Sequence, residues 1–494
     1  MNNNTRFDSS MVNRCLLCFD APCSRACPSS VAVSDVLRSL YFDNPSSAVK
    51  KLEKVSCSDC NAPCEKACLI KSPVEIKNIF ISLKKEDRPQ SGKIDVDLST
   101  EICKVKLENP FLLSSSVVAS TYEMCARAFS SGWAGASFKT ICSFDQHEAS
   151  PRFSAIWNHS NSFAGFKNIE QLSNHTIEED LAIFRRLKAE FPTKVIIASI
   201  MGKNEEEWTY IASECEKAGA DVIECNFSCP NMEDSSLGST IGQDASQVER
   251  FTRAVRKGTK LPILAKLTPN VADMVPMALA AKRGGADGIA AINTIYSITG
   301  VDIDDLVAEP AVRGRSIVGG YSGSAVKPIA LRFISDLSNT KELEDMHISG
   351  MGGIETWRDG LEFLLLGSGS LQVTTAVMQY GYRIIEDLVS GLRNYMETKG
   401  IKRVSDLIGK ASSTVVEHTQ IERDTVVYPI IDREKCNGCL RCYISCQDGG
   451  HQAIIIQDGK MPKIDGKACV GCHLCKLVCP VGAIELSKKA VKKK

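Results

Sequence analysis

The chain has 494 residues and carries 59 Lys and Arg against 59 Asp and Glu, a formal charge of zero. That length allows about two to four domains with a sizeable core, and the charge balance gives no electrostatic reason to expect nucleic acid or an anionic membrane surface as a partner. The opening Met1-Asn-Asn-Asn-Thr-Arg6 has no charged-then-apolar signal pattern, and no run approaches the ~18 apolar residues that span a bilayer. The expectation is a soluble cytoplasmic protein in which the 22 cysteines are mostly metal ligands rather than disulfides.

In chain order, residues 1–90 read as a helical domain holding the first cysteine group. Apolar spacing predicts helices over Val33–Tyr41, Ser46–Leu52 and Val74–Leu83, and the charged, Pro- and Gly-containing stretch Lys84–Gly92 follows as a linker. Residues 98–400 alternate short Val- and Ile-rich runs with helical stretches. The runs are Pro110–Val118, Ala134–Thr140, Val195–Met201, Asp221–Phe227, Pro262–Thr268, Gly288–Thr294, His347–Gly350 and Ser370–Thr375, with helices such as Ser246–Lys257, Val271–Arg283 and Thr356–Leu366 between many of them. These units predict an α/β fold, a (β/α)8 TIM barrel, in preference to an open doubly wound sheet, because no Gly-rich dinucleotide fingerprint follows the first run. Residues 401–429 read as a weak linker, 430–485 as a small domain holding the second cysteine group, and 486–494 as a solvated basic tail.

A barrel places its chemistry at the C-terminal ends of its strands. Here those ends are polar: Lys139-Thr140, Asn226 with Ser228-Cys229-Pro230-Asn231, Lys266-Leu-Thr268, Asn293-Thr294, Gly350 to Gly353, and Thr374-Thr375. Two lysines and two asparagines among them suit the floor under an electron-rich, hydrogen-bonding ring. Of the six cysteines in this block, Cys103, Cys125, Cys142, Cys215 and Cys225 read as small buried hydrophobes. Cys229 differs, because it stands just beyond a strand end between Ser228 and Pro230.

Cys436-x2-Cys439-x2-Cys442-x3-Cys446 and Cys469-x2-Cys472-x2-Cys475-x3-Cys479-Pro480 repeat the bacterial ferredoxin spacing twice. Three close thiolates hold one [4Fe–4S] cluster and the fourth crosses to the other. The expected sets are Cys436, Cys439, Cys442 with Cys479, and Cys469, Cys472, Cys475 with Cys446. A zinc site has no need of the third x2 step or the Cys-Pro ending. The N-terminal group, Cys15-x2-Cys18-x4-Cys23-x3-Cys27-Pro28 and Cys57-x2-Cys60-x3-Cys64-x3-Cys68, is less regular. Its eight thiols suffice for two more [4Fe–4S] clusters, zinc is a stronger competitor, and the spacing does not assign every ligand.

Asn226-Phe-Ser-Cys229-Pro-Asn resembles the catalytic loop of the FMN-dependent dihydroorotate dehydrogenases. The ordered set of Lys139-Thr140, Gly165-Phe-Lys-Asn168-Ile-Glu, Asn226 to Pro230, Ala265-Lys266-Leu-Thr-Pro-Asn270, Asn293-Thr294, Gly320-Tyr-Ser-Gly323, Gly352-Gly353-Ile and Gln372-Val-Thr-Thr, with the double ferredoxin behind it, more closely resembles the dihydropyrimidine dehydrogenases. The resemblance covers residues ~98–485, and the N-terminal block resembles the iron–sulfur domain of the long single-chain enzymes over residues ~12–83. It implies reduction of the 5,6 double bond of uracil or thymine, with electrons arriving through [4Fe–4S] clusters from an NAD(P)H-oxidising flavoprotein subunit or another donor. A homodimer or heterotetramer is implied likewise. Two departures stand out. The FAD- and NADPH-binding domains of the single-chain enzymes have no room between Cys68 and the first strand, and Phe80 aligns where that family uses a Gln cluster ligand. The resemblance then splits the N-terminal thiols into Cys15, Cys18, Cys23 and Cys68 against Cys27, Cys57 or Cys60, and Cys64.

FMN suits the strand-end groups. Gly352 and Gly353 can bring backbone N–H groups close to a phosphate, and Thr374 and Thr375 add donors. Lys266 is placed to hold the negative charge of a reduced flavin. Lys139 and Thr140, with Ser322 and Gly323, contact the flavin by resemblance, a structural ion pair being the alternative for Lys139. A pyrimidine offers alternating donors and acceptors, which Asn168, Asn226, Asn293, Thr294 and Ser228 would read. Asn231 either joins them or caps a turn, and Asn270 reads as structural. Cys229 is the expected general acid. The rival readings are a dihydroorotate dehydrogenase, or an electron-transfer subunit whose barrel does no chemistry.

Overall fold

The computed structural model describes residues 12–53, 55, 57–85, 94–158, 162–232, 237–457 and 460–492. Most of the expected linker after Lys84, residues 233–236 and the last two lysines therefore lie outside the described residues. By contacts the chain divides into two units, 1–414 and 415–494.

The eight apolar runs become one closed parallel barrel in sequential order. Its strands are β1 (Phe111–Leu113), β2 (Gly135–Ser137), β3 (Val195–Ile200), β4 (Val222–Asn226), β5 (Ile263–Lys266), β6 (Gly288–Ala291), β7 (His347–Met351) and β8 (Ser370–Val373), with β8 pairing back onto β1. Nearly every residue in them is buried, as expected for strands covered on both faces. Most strands stop short of the runs that predicted them, because the polar residues at each end leave the ladder. Thus β1 ends at Leu113; Ser114 still donates its N–H to the Val373 carbonyl of β8, and Ser115 and Ser116 lie beyond the strand. A helix follows every strand. The one over Ala245–Gly258 starts where the Asp244 side chain accepts the N–H groups of Ser246 and Gln247, and it buries Val248, Phe251, Ala254 and Val255. Thr356 and Asp359 close a capping box on the helix Trp357–Leu365. A hairpin, Thr100–Ile102 with Val105–Leu107, plugs the N-terminal mouth by packing Ile102 and Leu107 against Leu112, Ile197 and Leu264.

Two insertions at the opposite face meet as a four-stranded antiparallel sheet, in the order Ile295–Ser297, Gly319–Ser322, Phe163–Asn168, Phe153–Trp157. The eight-run pattern gave no sign of it. These strands are short or half-exposed, so their apolar patterning is weak.

The N-terminal helices form at Val33–Tyr41, Pro45–Leu52 and Ile76–Lys85. They are fixed to the barrel helix Ile384–Lys399 by a buried polar seam. Asp387, 1% exposed at its side chain, accepts Arg38 Nε at 2.8 Å and Ser39 Oγ at 2.6 Å, while Asn394 donates to Asn44 Oδ1 and Ser47 Oγ. Arg38 is also paired with Glu386, so loss of Asp387 leaves the Arg38 Nε and Ser39 Oγ groups unsatisfied rather than a bare charge. Asp387→Ala is therefore expected to lower stability by about 1–3 kcal/mol, read as a shifted denaturant midpoint with an otherwise native spectrum.

The expected linker and tail need correction. Residues 401–414 pack on the barrel, burying Val404 and Leu407 and bridging Asp97 to Arg403. The residues expected as a solvated basic tail belong to a strand, Ile484–Lys492, paired antiparallel with Thr425–Ile431. Its lysines hide this in sequence, because they lie exposed along an outer strand whose Ile484 faces inward. The unit is completed by the hairpin Ile454–Gln457 with Met461–Ile464 and the helices Arg441–Gly449 and Leu474–Leu477.

Candidate functional site

The strand ends and the inserted sheet enclose one cleft of about 1110 Å3. Lys139, Thr140, Asn168, Asn226, Cys229, Lys266, Asn293, Thr294, Ser322, Gly323, Gly352, Gly353, Thr374 and Thr375 all line it. Ser228 does not. It is fully buried behind the wall, donating its hydroxyl to Asn226 Oδ1 at 3.0 Å and accepting Asn293 Nδ2 at 2.7 Å. It thus bonds two amides of the cleft without lining the cleft itself.

The amides are fixed by their neighbours. Asn226 donates to Thr140 Oγ1 at 2.8 Å. Asn168 donates to the Gly320 carbonyl across the inserted sheet at 3.4 Å. The Asn231 NH2 group faces the Glu170 carbonyl at 2.9 Å and both oxygens of Asn168, which turns Asn231 Oδ1 the other way, where it is buried without a partner. Asn270 is structural as expected, bonded to Thr268, the Thr294 carbonyl and the Tyr296 N–H.

Cys229 is 8% exposed and lines the cleft. Burial, opposed by a hydrogen bond from the Asn231 N–H, pushes its thiol up to about 11, so it carries a proton at neutral pH. The other five barrel cysteines are buried, as expected.

Both cleft lysines stand 3.5 Å from a carboxylate, Lys139 from Glu148 and Lys266 from Glu224. Glu224 was missed in the sequence, although alternation along β4 puts it on the same face as Asn226. Glu170, Glu355, Tyr321 and Gln372 also line the cleft without having been singled out. Burial raises the carboxyls of Glu170 and Glu355, the latter to about 7.

An FMN-sized group fits these residues. At one end the hydroxyl pairs Ser116–Thr374 and Ser322–Thr375 meet three glycines in the left-handed region. A Cβ on Gly353 would come within 2.9 Å of the Gly323 carbonyl, so only glycine leaves the backbone open there. On the floor, Gln372 Oε1 is buried with no donor, and a ring N–H would satisfy it.

The cysteines line smaller cavities. Cys436, Cys439, Cys442 and Cys479 surround one of about 310 Å3, and Cys446, Cys469, Cys472 and Cys475 one of about 360 Å3. These are the crossed sets expected from the spacing. The sulfurs of the two crossing residues, Cys446 and Cys479, accept the N–H groups of Ala453 and Ala483. In the N-terminal domain Cys27, Cys57, Cys60 and Cys64 line a cavity of about 400 Å3 with Phe80 in its wall. Both Cys57 and Cys60 line it. Burial raises the Cys15 thiol to about 11, and Cys23, Cys18 and Cys68 are the nearby sulfurs that add to the shift. The two halves share a signal readable in sequence, Ala21-Pro-Cys23-x2-Ala-Cys27 and Ala62-Pro-Cys64-x2-Ala-Cys68, in which Ala21 and Ala62 take a left-handed conformation before a single helical turn.

A (β/α)8 barrel whose cleft collects amides, paired lysines and one protonated thiol, on a chain with paired cysteine cages, defines a barrel oxidoreductase fed by iron–sulfur centres. Residues 97–396 match the dihydroorotate dehydrogenase family and residues 429–486 the 4Fe-4S dicluster domain; the chain belongs to the dihydroorotate dehydrogenase family. It is 54% identical over 398 residues to the NAD-dependent dihydropyrimidine dehydrogenase subunit PreA of Escherichia coli K12, covering 80% of this chain and 97% of that protein. It is 36% identical over 344 residues to the chloroplastic dihydropyrimidine dehydrogenase (NADP(+)) of Arabidopsis thaliana, covering 67% of this chain and 80% of that protein. With the dihydroorotate dehydrogenase B (NAD(+)) catalytic subunit of Pyrococcus horikoshii it shares 37% over 319 residues, 64% of this chain and 97% of that protein. Among the described residues no helix is long and apolar enough to cross a membrane.

Proposed function

We propose that the chain is the pyrimidine-reducing, FMN- and iron–sulfur-dependent catalytic subunit of a cytoplasmic dihydropyrimidine dehydrogenase, converting uracil or thymine to the 5,6-dihydro form. The observation that carries this reading is the buried, protonated Cys229 thiol in the same cleft as Lys266 and the aimed amides. A flavin held in this cleft would supply the link between one-electron iron–sulfur centres and a two-electron hydride donor to one carbon of the double bond.

Asn168, Asn226 and Asn293, with Thr294, hold the ring edge, and Asn231 Oδ1 accepts a ring N–H. Lys266 would stabilise negative charge on such a ring, Lys139 and Thr140 would contact the flavin, and Ser322, Gly323, Gly352, Gly353, Thr374 and Thr375 would hold its phosphate. Cys229 Sγ gives its proton to the second carbon, whose new C–H bond takes the electron pair of the broken double bond. The thiolate regains a proton from water. Two electrons and two protons are consumed for each double bond. Because the thiol titrates near 11 rather than near the ~8.5 of an exposed cysteine, the alkaline fall in kcat is expected well above pH 9. A pH profile on saturating uracil reads this directly, and a limb near 8.5 would contradict it.

The N-terminal thiols, Cys15, Cys18, Cys23 and Cys68 with Cys27, Cys57, Cys60 and Cys64, would hold two further [4Fe–4S] clusters that receive electrons from a partner NAD(P)H-oxidising flavoprotein subunit. The name of the Escherichia coli relative supports such a partner. A homodimer or heterotetramer follows from the same reading. The test is anaerobic purification, flavin and iron analysis, and turnover of uracil with a reduced viologen as donor. Dihydrouracil and FMN are the expected findings, and a protein without flavin would overturn the reading.

A further inference from the structure

Directly beneath the floor of the cleft, behind Lys266 and Gln372, lies a carboxylate. Glu224 is 0% exposed and projects inward from β4. Ser137 Oγ donates to its Oε1 at 2.9 Å and Gln372 Nε2 to its Oε2 at 3.0 Å. Lys266, itself 4% exposed, stands 3.5 Å away and also donates to Ser114 Oγ at 3.2 Å. Burying a carboxylate is costly unless it is paired and hydrogen-bonded, and strands from around the barrel each contribute a partner to this one. TIM-barrel interiors are ordinarily filled by branched apolar side chains, so packing does not account for it.

We propose that Glu224 is a positioning residue that aims Lys266 and limits its pull on the electrons of the bound flavin. The inference rests on the reading of the cleft as a flavin site. A lone buried ammonium would favour the reduced, negatively charged ring so strongly that it would part reluctantly with hydride. A counter-charge behind the ammonium leaves the ring reducing enough to saturate a carbon–carbon double bond. Lys139 repeats the arrangement with Glu148 at the side of the cleft.

Sulfite is a suitable probe, because it adds reversibly to an oxidised flavin and leaves the ring more negative. Unit charges several ångströms apart in a protein interior change such an equilibrium by about tenfold or more. In the FMN-loaded full chain, Glu224→Gln is expected to bind sulfite about tenfold more tightly and to raise the flavin midpoint potential, while Lys266→Met weakens sulfite binding. The double variant Glu224→Gln/Lys266→Met, which buries no charge on this floor, should bind sulfite more tightly than Lys266→Met alone, and it keeps the test available if Glu224→Gln does not fold. Unchanged or weaker sulfite binding on removing Glu224, in either background and with FMN retained, would overturn the inference. Absence of FMN from the parent protein would instead overturn the flavin reading itself.

Discussion

Cys229→Ala is expected to retain its flavin and iron and to lose roughly a hundred- to ten-thousandfold in uracil turnover, the range that a positioned general acid supplies. The thiol lines the cleft, carries a proton at neutral pH, and is held by the Asn231 N–H. Its loss takes away the proton for the second carbon and leaves the flavin site intact. The variant's flavin should therefore still be reduced by viologen and then stay reduced in the presence of uracil. Near-normal turnover would remove Cys229 from the chemistry. Cys229→Ser, which keeps a hydroxyl of much higher pKa, is expected to restore little.

Cys479→Ala is expected to fail in the opposite way. Its sulfur belongs to the cavity of Cys436, Cys439 and Cys442, far along the sequence from the run that contains it. The variant should lose the cluster of that cavity and keep the one held by Cys446, Cys469, Cys472 and Cys475. Iron analysis and low-temperature EPR of the reduced protein read the difference. Turnover supported by the physiological donor should fall to background, whereas flavin reduced directly by dithionite should still be reoxidised by uracil. Loss of the cluster in the Cys469 cavity instead would show that the thiolates do not cross.

The barrel was legible because its strands are buried on both faces, so unbroken apolar runs such as Val195–Ile200 stand out whatever surrounds them. The crossed ferredoxin ligands were legible because three-step thiol spacing has one geometric use. The inserted sheet was not, since Phe153–Trp157 is half-exposed and its pairing partner comes from a strand whose register depends on the fold. Ser228 lies beyond the end of β4, where alternation no longer fixes the direction of a side chain, whereas Glu224 lies within the strand and was passed over. Alternation from Asn226 already puts Glu224 inward. The choice between Cys57 and Cys60 needed three dimensions, because both surround the same cavity as Cys27 and Cys64.

The account stands or falls on what the cleft reduces. The direct measurement is anaerobic reduction of the purified chain, followed by rapid mixing with uracil, thymine or orotate while the flavin absorbance is recorded. Reoxidation by uracil and thymine, with formation of the dihydropyrimidine and little response to orotate, is the predicted result. Reoxidation by orotate with none by uracil or thymine would contradict it.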